Sequence, residues 1–106
     1  MSEAYRVSSV AEDDLVEIGA YIAQYNPEAA VRQVDAILDR FPLLAAQPGI
    51  GSKRDDLHAG LRCLAVDRYI IFYRTVDEAE FSIEVVRVLH GSRDLPGVFS
   101  ETEPNS

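Results

Sequence analysis

Thiols are nearly absent from this sequence. Cys63 is the single cysteine among 106 residues, so no internal disulfide can form and no cysteine-based zinc site can be assembled. It stands in a mostly apolar run, Leu61 to Val66, where it is expected to pack as a small hydrophobe, with a reactive thiol as the alternative. His58 and His90 are the two histidines, too few for a metal constellation, and neither a metal nor a cofactor is expected. Long apolar runs are missing as well. None approaches the roughly 20 residues that a membrane helix requires. Met1 to Ala4 also lacks the basic-then-apolar order of a signal peptide, so the expected location is the cytoplasm, with no membrane association.

Positive charge is scarce. Ten basic residues face eighteen acidic ones, for a net charge of −8 and a pI near 4.6. A surface that grips phosphates along its whole length is therefore excluded, and no sequence-specific nucleic-acid binding is expected, because each neutralised phosphate needs a cation to replace its counterions. The sign is uneven along the chain. Glu3, Glu12, Asp13, Asp14, Glu17, Glu28, Asp35 and Asp39 outweigh Arg6 and Arg32 in the first part, whereas Lys53, Arg54, Arg62, Arg68, Arg74, Arg87 and Arg93 lie later. Lys53 is the only lysine. Arginine makes planar, bidentate contacts with carboxylates and phosphates, which suits a specific acidic partner, although solvated strand arginines are an equally open reading.

What is present fits one globular domain. Hydrophobic residues at 47% against 26% charged exclude a disordered chain, and the length leaves room for a single domain, assigned to residues 1–99 with a flexible polar tail at 100–106. So small a domain buries only about two-thirds of its unfolded surface, and a partner adding apolar contact would raise its stability. Tyr5 and Val7 alternate with Arg6 and Ser8, which predicts a short strand. Ser9 to Glu12 fits a capping box, with Ser9 as the N-cap of a helix carrying Leu15, Ile18, Ile22 and Tyr25 on one stripe. Asn26-Pro27 opens a second helix, with Ala30, Val34, Ile37, Phe41 and Leu44 on its stripe and a kink or early end near Arg40 imposed by Pro42. The short connection makes the two an antiparallel hairpin. Gln47 to Gly60 reads as a loop, and strands are predicted at Leu61–Val66, Tyr69–Thr75 and Phe81–Leu89. The fold class is thus α+β in the order β-α-α-β-β-β, with the helical hairpin on one face of a small antiparallel sheet. Apolar residues occupy both registers of the last strand, so part of the other face is expected to meet another protein.

Ala11, Asp14-Leu15, Ile18 and Tyr21-Ile22; Asn26-Pro27 and Ala29-Ala30; Pro48 and Gly51; Gly60-Leu61-Arg62; Arg68 to Arg74; and Val86 to Asp94 follow one another in the chain. In this order they resemble the ParE branch of the RelE/ParE toxin superfamily. The resemblance covers residues 4 to 99. It implies the toxin of a type II toxin–antitoxin pair, bound in a hetero-oligomer by a ParD-like antitoxin and directed at DNA gyrase. RelE-like relatives share the fold and cut mRNA on the ribosome, so fold alone does not separate the two activities.

The residues weigh against a nuclease. RNA cleavage requires a base, an acid and cations for the phosphorane. The available candidates are Arg62, Arg68, Arg74, Arg87, His90 and Arg93, with no tyrosine after Tyr73. No catalytic residue is assigned, although His90 beside Arg87 leaves an acid-and-cation pair open. The same residues, with Tyr69 and Tyr73, are the expected contacts for antitoxin or target. Each has a plainer reading too: His90 as a sheet cap, Arg93-Asp94 as a local ion pair, Tyr69 and Tyr73 as core. A homologue that binds without being toxic is the third possibility, since many relatives are basic and this chain is not. Antitoxin is expected on the apolar stripe of the hairpin and on the exposed sheet face, and gyrase around Arg87 to Phe99.

Overall fold

The computed structural model describes residues 4–102. Four α-helices and five strands follow one another as β1 (Tyr5–Val7), α1 (Ser9–Ala23), α2 (Pro27–Leu38), α3 (Arg40–Ala46), β2 (Ser52–Lys53), β3 (Leu61–Val66), β4 (Tyr69–Thr75), β5 (Ile83–His90) and α4 (Leu95–Thr102). A 3-10 turn, Pro48–Ile50, lies between α3 and β2. The helix boundaries follow their caps. Asn26 accepts the Ala29 N–H at 3.0 Å, and Pro27 takes the first position of α2, where its missing N–H costs nothing. Pro42 has the effect expected of it: the helical run breaks at Asp39 and resumes as α3. The cap of α1 is one residue earlier than the sequence suggests. Ser8, not Ser9, accepts the Ala11 N–H at 3.0 Å, because Ser8 keeps an extended backbone and also donates its hydroxyl to the Val86 carbonyl.

The sheet has the order β1-β5-β4-β3-β2. It is mixed rather than antiparallel: β3, β4 and β5 form an antiparallel meander, whereas β1 pairs parallel to β5 through Tyr5↔Ile83 and Val7↔Val85. A three-residue alternation shows that a segment is extended but carries no information about its neighbour. The expected loop at 47–60 contains the edge strand β2, which pairs with Arg62 and Cys63. Two residues are too few for periodicity to reveal.

The hairpin stripe packs on one face of the sheet. Ala11, Ile18, Ile37, Phe41 and Leu44 meet Tyr69, Ile71, Tyr73, Ile83, Val85 and Val88. That stripe is therefore core and is not open to a partner, except at Tyr25, which the spacing placed on it but which is exposed, as are Val16, Tyr21 and Val31. The other face of the sheet is not bare either. Helix α4, unforeseen in the sequence, lays Val98 and Phe99 on Leu61, Phe72 and Leu89, with Phe72 and Phe99 edge to face at 4.9 Å. This accounts for the apolar residues in both registers of β5. Residues 100–102 of the expected tail belong to α4, and 103–106 lie outside the described residues. No helix among the described residues is long and apolar enough to cross a membrane.

Candidate functional site

Asp14 occupies a core-facing position of α1, one turn after Ala11 and one before Ile18, and is 7% exposed. Arg87 approaches it as a fork, with Nε at 2.9 Å and Nη2 at 3.0 Å, and the Val88 N–H donates at 2.9 Å. Bidentate, charge-assisted bonds of this kind are the strong class, and they satisfy a carboxylate that burial would otherwise penalise. The geometry depends on an irregularity in β5. Phe72 pairs with Arg87 but Tyr73 pairs with Val85, so Val86 is an extra residue. Such bulges re-aim side chains. Here Val88 takes the core position and Arg87 reaches α1. Strand β1 stops at Val7↔Val85, and beyond that point the Val88 N–H finds the Asp14 carboxylate instead of a neighbouring strand.

Two cavities flank this pair. The first, about 270 Å³, lies between the start of α1, the sheet and α4, and is lined by Val10, Leu61, Val86 and Phe99 with Arg74, Arg87 and His58. The second is an open cleft of about 730 Å³ between the hairpin and the end of the sheet, lined on one side by Glu17, Ile18, Tyr21, Ile22 and Gln33. Its other side is formed by Arg68, Tyr69, His90 and Ser92. The candidate residues are divided between these two places and the interior. Arg62 is bound to its own chain, donating to the Gly51 carbonyl at 2.7 Å. Arg74 pairs with Glu84 at 2.8 Å, and Glu84 also holds Arg6. Arg6 forms a second pair with Glu78 and draws that carboxyl below its usual range.

Tyr73 is fully buried. Its hydroxyl accepts the Gly51 N–H at 2.9 Å and donates to the Pro48 carbonyl at 2.7 Å. Burial pushes the phenol above its ordinary value, against the opposing pull of the Gly51 amide and Arg62. Tyr69 belongs to the same core cluster and meets the His90 ring edge to face at 5.3 Å. His90 and Arg87 line different cavities, so they do not form the acid-and-cation pair that their separation in sequence left open. Arg93 is exposed and makes no ion pair with Asp94, whose carboxylate instead takes the Gly97 N–H at 3.4 Å at the start of α4. Arg68 sits in the two-residue turn between β3 and β4, not in a strand, and is also exposed.

A model of the family described as "ParE toxin of type II toxin-antitoxin system, parDE" matches residues 5–95. This chain belongs to the ParE toxin family. A relative called "Toxin ParE1" in Caulobacter vibrioides is 33% identical over 89 residues, covering 83% of this chain and 88% of that protein. A "Toxin ParE1" of Mycobacterium tuberculosis is 34% identical over 101 residues, covering 90% and 96% respectively. Among solved structures, a chain from the chromosomal ParDE TA system of P. aeruginosa superposes with a TM-score of 0.67 at 25% identity, covering 85% of this chain and 95% of that one.

Several residues that shape the site of this ParE-family chain escaped the sequence reading. In the sequence Asp14 counts only among the acids of the first part and in the family pattern Asp14-Leu15. The signal that could have singled it out is its position: it falls between Ala11 and Ile18 on the buried stripe, where a carboxylate requires a buried partner. Gln33, Phe99 and His58 gave no comparable signal, because the topology alone brings them to the cavities.

Proposed function

We propose that this chain is the toxin of a type II toxin–antitoxin pair, that it is held inactive by a small ParD-like antitoxin, and that it acts on DNA gyrase by binding, without bond-breaking chemistry of its own. The observation that carries this reading is the commitment of three of its candidate arginines. Arg87 is forked onto Asp14, Arg74 onto Glu84 and Arg62 onto backbone carbonyls. A ribonuclease needs such cations turned toward one phosphate with an acid and a base beside them. Arg87 and His90 instead line separate cavities. The net charge of −8 supports the same conclusion, since docking on ribosomal RNA would require a basic face. The family match supports the toxin role, and the neighbour from a ParDE system supports an antitoxin as partner.

The exposed apolar and aromatic side chains of the hairpin, Val16, Tyr21, Tyr25 and Val31, are the contacts offered to the antitoxin. The gyrase contact is assigned to the exposed turn after β5, where Arg93 lies. The test is a pair of assays on the purified chain freed of antitoxin: gyrase supercoiling, and mRNA integrity on translating ribosomes. Inhibited supercoiling with accumulated cleaved DNA and intact mRNA is the expected result. Codon-spaced mRNA cuts with gyrase unaffected would overturn the reading. Arg93→Ala should reduce gyrase inhibition and leave antitoxin binding in place.

A further inference from the structure

The open cleft between the hairpin and the end of the sheet holds donors that nothing in the described chain uses. Arg68 lines it, is exposed, and pairs with no carboxylate among the described residues, although the chain carries eighteen acids. Glu17 lines the same cleft without forming an ion pair with Arg68. The base of the Arg68 side chain is held from two sides. The Gly91 N–H donates to the Arg68 carbonyl at 2.8 Å, and Gln33 of α2 bonds the neighbouring Asp67 at 3.3 Å. Asp67 itself takes the left-handed φ of 56° that makes so tight a turn possible. A guanidinium presented from a fixed base loses less freedom on binding than one on a loose loop.

His90 supplies a second donor. Its Nδ1 accepts the Ser92 N–H at 3.0 Å, and a backbone amide can only donate, so the neutral ring must carry its proton on Nε2. That Nε2–H has no partner among the described residues. Around these donors the lining is Ile18, Ile22, Tyr69 and the largely exposed Tyr21, with Glu17, Gln33 and Ser92 as its polar members. At about 730 Å³ the cleft accommodates several side chains rather than one ion.

We propose that this cleft grips an acidic segment of the antitoxin, with one carboxylate on the Arg68 guanidinium and within reach of the His90 donor, and an adjoining apolar side chain against Tyr21 and Ile22. The inference rests on the reading that this chain pairs with an antitoxin. A phosphate chain is the poorer occupant, because the cleft lining offers one arginine, Arg68, which neutralises a single phosphate, while Glu17 and the net charge of −8 repel the rest.

The experiment measures the affinity of the cognate antitoxin for the wild-type chain and for Arg68→Gln, Arg68→Glu and Tyr21→Ser, each checked for a native circular-dichroism spectrum. Arg68→Gln should weaken binding about threefold to tenfold, and Arg68→Glu more. Tyr21→Ser, on a different element, should weaken it independently. Alanine substitution of the antitoxin's acidic residues one at a time should then find one whose effect disappears in the Arg68→Gln background. Unchanged affinity for Arg68→Glu overturns the proposal. So does a loss of gyrase inhibition in that variant with antitoxin binding intact, which would give the cleft to the target. No binding by the wild-type chain would remove the toxin–antitoxin reading itself, an outcome distinct from either.

Discussion

Replacing Arg87 should damage the fold before it reveals anything about a target. The Arg87 side chain is 15% exposed and the Asp14 side chain 8%, so Arg87→Ala leaves a carboxylate in the interior with only the Val88 N–H as partner. Breaking a buried pair from one side costs about 3 to 5 kcal/mol, against a total stability of roughly 5 to 15 kcal/mol for a domain of this kind. With a urea slope of about 1 to 3 kcal/mol/M, the unfolding midpoint should fall by at least about 1 M. Asp14→Asn removes the charge but keeps an oxygen for the Val88 amide, so it should cost less. The double variant Asp14→Asn/Arg87→Met should be more stable than Arg87→Ala, because no unpaired charge remains buried. Urea unfolding followed by circular dichroism on all three, with Arg93→Ala as the exposed comparison at under about 0.5 kcal/mol, decides the matter. If Arg87→Ala moved the midpoint no further than Arg93→Ala, the pair would not be structural. Loss of toxicity on replacing Arg87 would then speak for target binding.

Other positions make separate demands. Tyr73→Phe strips the Gly51 N–H and the Pro48 carbonyl of their partner and should cost about 2 kcal/mol at neutral pH. Because the folded phenol titrates above its ordinary value, wild-type stability is intact below about pH 10 and declines as pH rises through the folded value. The phenylalanine variant should lose that part of the decline in unfolding curves taken from pH 8 to 11. Gly60, at φ 81° with open space around it, should cost about 1 to 2 kcal/mol as alanine, from backbone strain alone. Gly51→Ala should cost more in the same assay, since its new carbon would lie 2.7 Å from the Cys63 carbonyl. Asn26→Ala removes one cap bond and should cost about 1 kcal/mol. Ser8→Ala should exceed it, because that hydroxyl also holds Val86.

Local chemistry was the legible part of the fold. The Asn26-Pro27 boundary, the break that Pro42 imposes and the three long strands each announce themselves within a few residues, through a cap, a missing N–H or a period of two. What stayed hidden depends on partners distant in sequence. The parallel pairing of β1 with β5 links Tyr5 to Ile83, and three alternating residues cannot specify it. Helix α4 gives no local signal, since Pro96 and Gly97 in its first turn are turn-forming residues, and its stability comes from Val98 and Phe99 docking on the sheet. The bulge at Val86 was equally invisible. Simple alternation from Val85 would put Arg87 on the core face and leave Val88 outside.

The same distinction governs the site. Counting arginines along the chain suggested a cationic half, yet part of that charge is cancelled at home, Arg74 by Glu84, Arg54 by Asp56 and Arg87 by Asp14, and Glu84 also holds Arg6. What matters for recognition is which cations keep their valence after folding. Among the described residues Arg32, Arg40, Lys53, Arg68 and Arg93 do, and the hydrogen bonds Gly91 N–H to Arg68 O and Arg93 N–H to His90 O tie the last two to one end of the sheet. An acidic protein can therefore still hold an acidic segment, provided the contact is short-range and confined to that end. Elsewhere the excess of carboxylates repels anions, so the attraction at the cleft should act on a docked segment rather than steer it from a distance. Replacing Arg68 should accordingly raise the dissociation rate of the antitoxin and leave its association rate within about twofold. A large fall in the association rate instead would mean that the cleft works by long-range steering.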